Sequence, residues 1–230
     1  MATAPGCIGD YNGTNKYCSY ALKDGYVEHT GATHALARDA TTGTTALTTG
    51  GGSTYRSRAI EYQHAKGAWR ITRTFIAFNT SAITTTVTSA KLYIYGYQFT
   101  NGDIIAIKST WDGSSNLTTS DYDSLDFSTA YSSKVSSWTD TAYNEITLNT
   151  QARADMKSNS TISFALINYE YDSRDVSSTN IVINGMYYSE YSGTGKDPEL
   201  GWQSEAVVVN TPVTLSSGVI NLNSGLITIT

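Results

Sequence analysis

Two neighbouring runs set the pattern for the whole chain. Residues 71–78 (ITRTFIAF) are apolar on both sides toward their far end, which predicts a strand covered on both faces. Residues 87–95 (VTSAKLYIY) alternate instead. Ala90, Leu92 and Ile94 fall on one side, and Ser89, Lys91, Tyr93 and Tyr95 on the other. One face of this second strand is core, and the other carries a cation and a row of tyrosines. A Thr-rich loop joins the two.

The same alternation recurs along the chain. A strand is predicted from about Asp24, another over 55–64 with its charged side toward water, and a buried one over 103–108 after Asn101-Gly102. Asn-Gly is a strong hairpin signal, because type I′ turns need positive φ at both central positions. Residues 41–52 (TTGTTALTTGGG) read as turns or a loop, and 109–142 as long loops around one or two weak strands. Residues 143–149 alternate again. One short helix is predicted over 150–157, with Thr150 as its candidate cap. Ile162, Phe164 and Leu166 mark one face of a core strand, and 179–191 and 200–209 close the domain. After Val209 a seven-residue unit repeats three times: NTPVTLS, SGVINLN, SGLITIT. A meander this short cannot bury its own apolar face, so it is expected to pack on the main domain or on other chains. Flat unpaired strands favour the second, with a trimer expected.

This pattern predicts an all-β fold, an antiparallel β-sandwich of jelly-roll-like type. Its parts are an N-terminal arm (1–24), the sandwich (25–209) and a C-terminal β-repeat for assembly or docking (210–230). Composition agrees. Only 15% of the 230 residues are charged, and Ser and Thr make up about a quarter, beside 17 Tyr and 19 Gly. Thr and Tyr suit half-buried strands, and Gly and Ser suit turns.

Charge removes some functions. The net charge is −5 with no run of Lys or Arg, so the basic footprint of a nucleic-acid binder is missing. No apolar window is long enough for a membrane-spanning helix. The first residues, MATAPGCIGDYNG, show neither a basic nor an apolar signal segment. They carry Cys7, which with Cys18 closes a short Gly- and Asn-rich loop; two reduced thiols and a local disulfide both stay open.

Candidate chemistry is sparse. Tyr93, Tyr95 and Tyr97 could present rings to sugar C–H groups, could form a protein contact, or could be ordinary sheet packing. Trp111 and Trp138 lie in loop-like segments as candidate stacking rings, whereas Trp202 reads as core. Asp121, Asp123 and Asp126 have the charge density of a structural calcium site without the EF-hand order, and a solvated acidic loop is the default. No cofactor is expected. No motif singles out a glycosidase carboxylate pair, and His29, His34 and His64 have neither a nucleophile elbow nor metal-ligand spacing. His29 and His34 read as surface or loop residues. The chain is therefore expected not to be an enzyme.

The stretch from Arg73 (RTFIAFNTSAI) followed by Val87 (VTSAKLYIYG), together with Ser189 to Leu200 (SEYSGTGKDPEL), resembles the DNRLRE-type (disaggregatase-related) domain. The resemblance covers roughly residues 24–208, and the family pattern has Asp where this chain has Asn79. It implies a sandwich akin to carbohydrate-binding modules, of the sort found in secreted polysaccharide-active proteins, cell-surface proteins and phage structural proteins. From it follows the functional expectation: a non-enzymatic extracellular or virion structural or adhesive protein. A capsid decoration, head fibre or tail fibre is the leading form, with other virion or surface proteins and cell-surface polysaccharide as partners. The alternative is a carbohydrate-binding module of a secreted polysaccharide-active protein.

Overall fold

The computed structural model describes residues 16–48, 56–65, 67–100, 102–189 and 196–205. Every pairing among them is antiparallel, and the fold is all-β and sandwich-like. The predicted C-terminal repeat (210–230) and residues 1–15 lie outside the described residues.

A short sheet is built on β6 (Val87–Phe99). Its first half pairs on one edge with β12 (Glu199–Ser204), which pairs in turn with β1 (Lys16–Tyr20), and on the other edge with β9 (Tyr143–Thr147). A longer sheet is built on β5 (Ala68–Asn79). One edge of β5 takes β2 (Lys23–Gly31), followed by β3 (Thr45–Thr48). Its other edge is shared end to end. The first part pairs with β4 (Arg56–Ala65) and leads on to β11 (Ile181–Tyr187). The second part pairs with β10 (Thr161–Asn168), which leads to β7 (Ile104–Ser109) and β8 (Leu125–Ala130). The two sheets meet because β11 also pairs with the far end of β6.

The double-faced apolar pattern of β5 follows from two cores on opposite sides of the long sheet. Ile76 and Phe78 of β5, Ile104 and Ala106 of β7, and Ile162, Phe164 and Leu166 of β10 face the main core, against Leu92, Ile94 and Ile146 of the short sheet. The intervening residues Phe75, Ala77, Ile105, Ile107, Ala165 and Ile167 face a second core. Strict period-two alternation puts each set on its own side. The second core is roofed by α1 (His34–Arg38), by a 3-10 turn (Thr119–Asp123) and by the loop that carries Trp111 and Leu117.

Arg73 organises that roof. Its guanidinium is fully buried and takes both oxygens of buried Asp172, at 2.9 Å from Nε and 2.8 Å from Nη2. It also donates to the carbonyls of Tyr122 (2.9 Å) and Arg38 (2.7 Å), and lies 4.0 Å over the Tyr122 ring. A bidentate pair with four donated hydrogen bonds is the geometry in which a buried arginine is tolerated. It ties α1, the 3-10 turn and a π-helical turn (Tyr169–Ser173) to one strand. His34, expected at the surface, is buried beside it; its Nε2 lies 2.8 Å from the carbonyl oxygen of Tyr171.

Several local expectations are corrected. Residues 16–24, assigned to the arm, form β1 and the start of β2, and Asp24 is fully buried. Asn101 lies outside the described residues, and the strands that flank it, β6 and β7, do not form a hairpin. The far end of β6 lies beside β11, and β7 lies between β10 and β8. The helix α2 (Thr150–Ser158) is capped by Asn149, whose side chain accepts from the Ala152 N–H at 3.0 Å, and not by Thr150. Asn79, where the resembling family has Asp, still does turn work: its Oδ1 accepts from the Ser81 N–H and hydroxyl.

Helix α2 packs Ala152 and Met156 into the main core and places Asp155 against the sheet. The Tyr131 hydroxyl donates to Asp155 at 2.5 Å, Lys108 Nζ at 3.0 Å and Gln151 at 2.9 Å. Burial pushes this carboxyl up, and the three donors together outweigh it, so its pKa lies below the usual value of 3.8. A depressed folded pKa gives stability that is present above the unfolded value and is lost as pH falls through the folded one. Asp155→Asn is therefore expected to cost roughly 1–2 kcal/mol at pH 7 and markedly less at pH 2. Urea unfolding at the two pH values checks this; an equal loss at both refutes it.

Candidate functional site on the outer face of the short sheet

The outward positions of β6 hold Lys91, Tyr93, Tyr95 and Tyr97, as alternation predicts. Register places Glu145 and Glu199 beside Tyr93, Tyr143 beside Tyr95, and Thr147 and Gly201 beside Lys91. The three tyrosines do not share one environment. Tyr93 is buried, its ring lying along Gly201, where a Cβ would come within 3.0 Å of it. That glycine makes room for the ring. Tyr95 and Tyr97 are half-buried.

Tyr95 and Tyr97 belong to a cluster that the row alone does not show. Tyr95 packs edge-to-face on Tyr143 (5.1 Å) and on Tyr187 of β11 (5.4 Å), and Tyr97 packs on Tyr187 (5.8 Å). These offset geometries are the favoured ones for aromatic pairs. Lys196 sits over Tyr187 at 4.2 Å and over Tyr95 at 4.9 Å, so a cation already covers part of the aromatic surface. The Tyr95 hydroxyl donates to the Thr141 carbonyl at 2.7 Å, and that of Tyr143 to the Asp197 carbonyl at 3.1 Å. Burial and the nearby Glu199 raise the pKa of Tyr143, so its phenol stays neutral and a donor.

Along β9 the cluster runs into a polar groove of about 420 Å3. Glu145 and Thr147 follow Tyr143 at two-residue steps on the same face and form one wall. Residues 133–137 form the other. This second wall is fixed from within. Val135 exchanges backbone hydrogen bonds with Ile104 (2.8 and 2.9 Å), and the buried Trp138 indole donates to the Gly185 carbonyl at 3.3 Å. The charges at the groove are paired: Lys91 with Glu145 at 2.5 Å, and Lys134 with Asp103 at 2.6 Å.

The remaining candidates lie elsewhere. Trp111 and Trp138 are on loops as expected but are 4% and 5% exposed, so neither ring is available for stacking on a ligand. Trp111 packs edge-to-face on Phe75 in the second core, and Trp138 fills the main one. Trp202 is partly buried against the main core. Asp121 accepts from the Thr118 N–H (2.7 Å) and hydroxyl, capping the 3-10 turn. Asp126 accepts from Ser128 and Thr129 within β8, and Asp123 is exposed. Among the described residues, no three His, Cys, Asp or Glu gather as a metal ion would require. Cys18, on β1, is disulfide-bonded, and Cys7 lies outside the described residues.

Tyr143, Tyr187 and Lys196 were not among the sequence candidates. The alternation of 143–149 could have found Tyr143; the other two join through tertiary contacts only. No protein-family model matches this chain, and no curated protein matches it.

Proposed function

We propose that this chain is a non-enzymatic structural or adhesive domain working outside the cell, as a component of a phage particle such as a capsid decoration, head fibre or tail fibre. The carrying observation is the outer face of the short sheet, where half-buried tyrosines adjoin a preformed polar groove. Tyrosine supplies large contact area with few rotatable bonds, and is enriched where proteins meet partners. The virion setting rests on the resemblance to the DNRLRE-type domain and on the seven-residue repeat after Val209.

Light scattering of the full chain and of one ending at Val209 tests this reading, together with a reducing-end assay on polysaccharides. A trimer or larger assembly that becomes monomeric on truncation, with no sugar released, is the expected result. Hydrolysis of any polysaccharide overturns it. Two monomers favour the second reading, a carbohydrate-binding module of a secreted polysaccharide-active protein, which the groove beside Tyr143 supports.

A further inference from the structure

The groove between β9 and residues 133–137 has unspent hydrogen-bonding capacity. Ser133, Ser136 and Ser137 on one wall and Thr147 on the other are exposed, and their hydroxyls bond no other described residue. Glu145 gives one oxygen, Oε2, to Lys91 and leaves Oε1 facing no described donor. Each hydroxyl can donate once and accept twice, so both walls can serve ligand groups that themselves both donate and accept. Sugar hydroxyls are such groups.

Charge narrows the class. Lys134 and Glu145, the charged side chains of the groove, already have partners of opposite sign, so neither offers an unpaired charge to an ion. The chain as a whole carries −5, which repels a polyanion. At one end, two residues along β9 from Glu145 and about 7 Å away, stands Tyr143 with its half-buried ring. Both walls are held by core contacts through Val135, Trp138 and β9, so little ordering is needed on binding.

We infer that this groove binds a neutral, hydroxyl-rich saccharide chain, with Ser136, Thr147 and Glu145 as hydrogen-bonding groups and Tyr143 as the stacking ring at its end. This rests on the adhesive reading above and names its ligand class. The test is affinity electrophoresis of the full chain through gels containing a soluble β-glucan, a galactomannan or a mannan, with polygalacturonate as the acidic comparison. Ser136→Ala/Thr147→Ala and Glu145→Gln are run beside it, with melting temperatures to confirm that these exposed changes leave the fold intact. Retardation in at least one neutral gel, weakened roughly tenfold or more by the double variant, is expected. Retardation that both variants leave unchanged overturns the groove as the site. Retardation only by polygalacturonate, or none at all, overturns the ligand class. The adhesive reading is judged separately, by the light-scattering and hydrolysis results, so it can fail or survive independently.

Discussion

Asp172→Ala is expected to destabilise the protein by about 3–5 kcal/mol, because it leaves the Arg73 guanidinium buried and unpaired. For a domain of this size the melting temperature should fall by roughly 6–20 °C. An arginine cannot shed its proton to relieve the cost, so the protein must rearrange or admit water. Three pieces of the roof then lose their common anchor: the carbonyls of Arg38 and Tyr122 and the turn that carries Asp172 itself. Arg73→Met should cost less than Asp172→Ala, since methionine fits an apolar core, although Asp172 is then the buried charge. The double change Arg73→Met/Asp172→Leu should recover much of the loss, because it removes both buried charges together. Urea unfolding at pH 7 measures all three. A melting temperature within a degree or two of the parent for Asp172→Ala would show that the pair does not hold the roof.

The pair also shows what the sequence could and could not disclose. Arg73 stands in a run read as apolar on both faces, and the two-faced pattern is what predicted a strand with core on each side. Its partner gave no such signal. Asp172 sits in a stretch, YEYDSRD, without alternation, and a contact 99 residues away has no local period. Alternation is a local property, so β6, β9 and β10 were legible, and so was the side each residue takes. Which strand lies beside which was not. Asn101-Gly102 has the chemistry of a hairpin turn, yet β6 pairs at its far end with β11 and β7 pairs with β10 and β8, and tertiary packing decides that. The helix α1 was missed because five residues carry too little period to detect.

The same limit governs the site. The tyrosine row of β6 is periodic and was found, but burial is not written in periodicity. Tyr93 faces outward by alternation and is nevertheless covered, while Trp111 and Trp138 sit on loops and point inward. Large aromatic side chains on irregular segments commonly fill a core, since the hydrophobic gain scales with the apolar area they remove from water. The groove could not be read locally either, because its two walls come from β9 and a loop whose position Val135 sets by bonding to Ile104.

Phe164→Ala is expected to cost about 3–5 kcal/mol, through lost transfer energy and the cavity left in the main core. The ring is fully buried on β10 and packs edge-to-face on Phe78 at 6.0 Å and on Tyr131 at 5.6 Å. Each such aromatic pair adds about 0.5–1.5 kcal/mol beyond area burial, so the upper part of the range is expected. The neighbouring residue, Ala165, belongs to the second core, and strands β5, β7 and β10 serve both cores with one backbone. Disrupting one face of these strands must therefore loosen the other. Phe164→Ala and Asp172→Ala should lower a single transition, seen together by far-ultraviolet and near-ultraviolet circular dichroism. Two separated transitions would mean that the roof unfolds on its own, and the sandwich would then be the cooperative unit without it. Below its lowered melting point, the Phe164→Ala protein should still present Tyr95, Tyr143 and Glu145, because those side chains stand on the opposite face of the short sheet from this core. Loss of ligand binding without loss of the folded signal would show that the main core sets the geometry of that face as well as its stability.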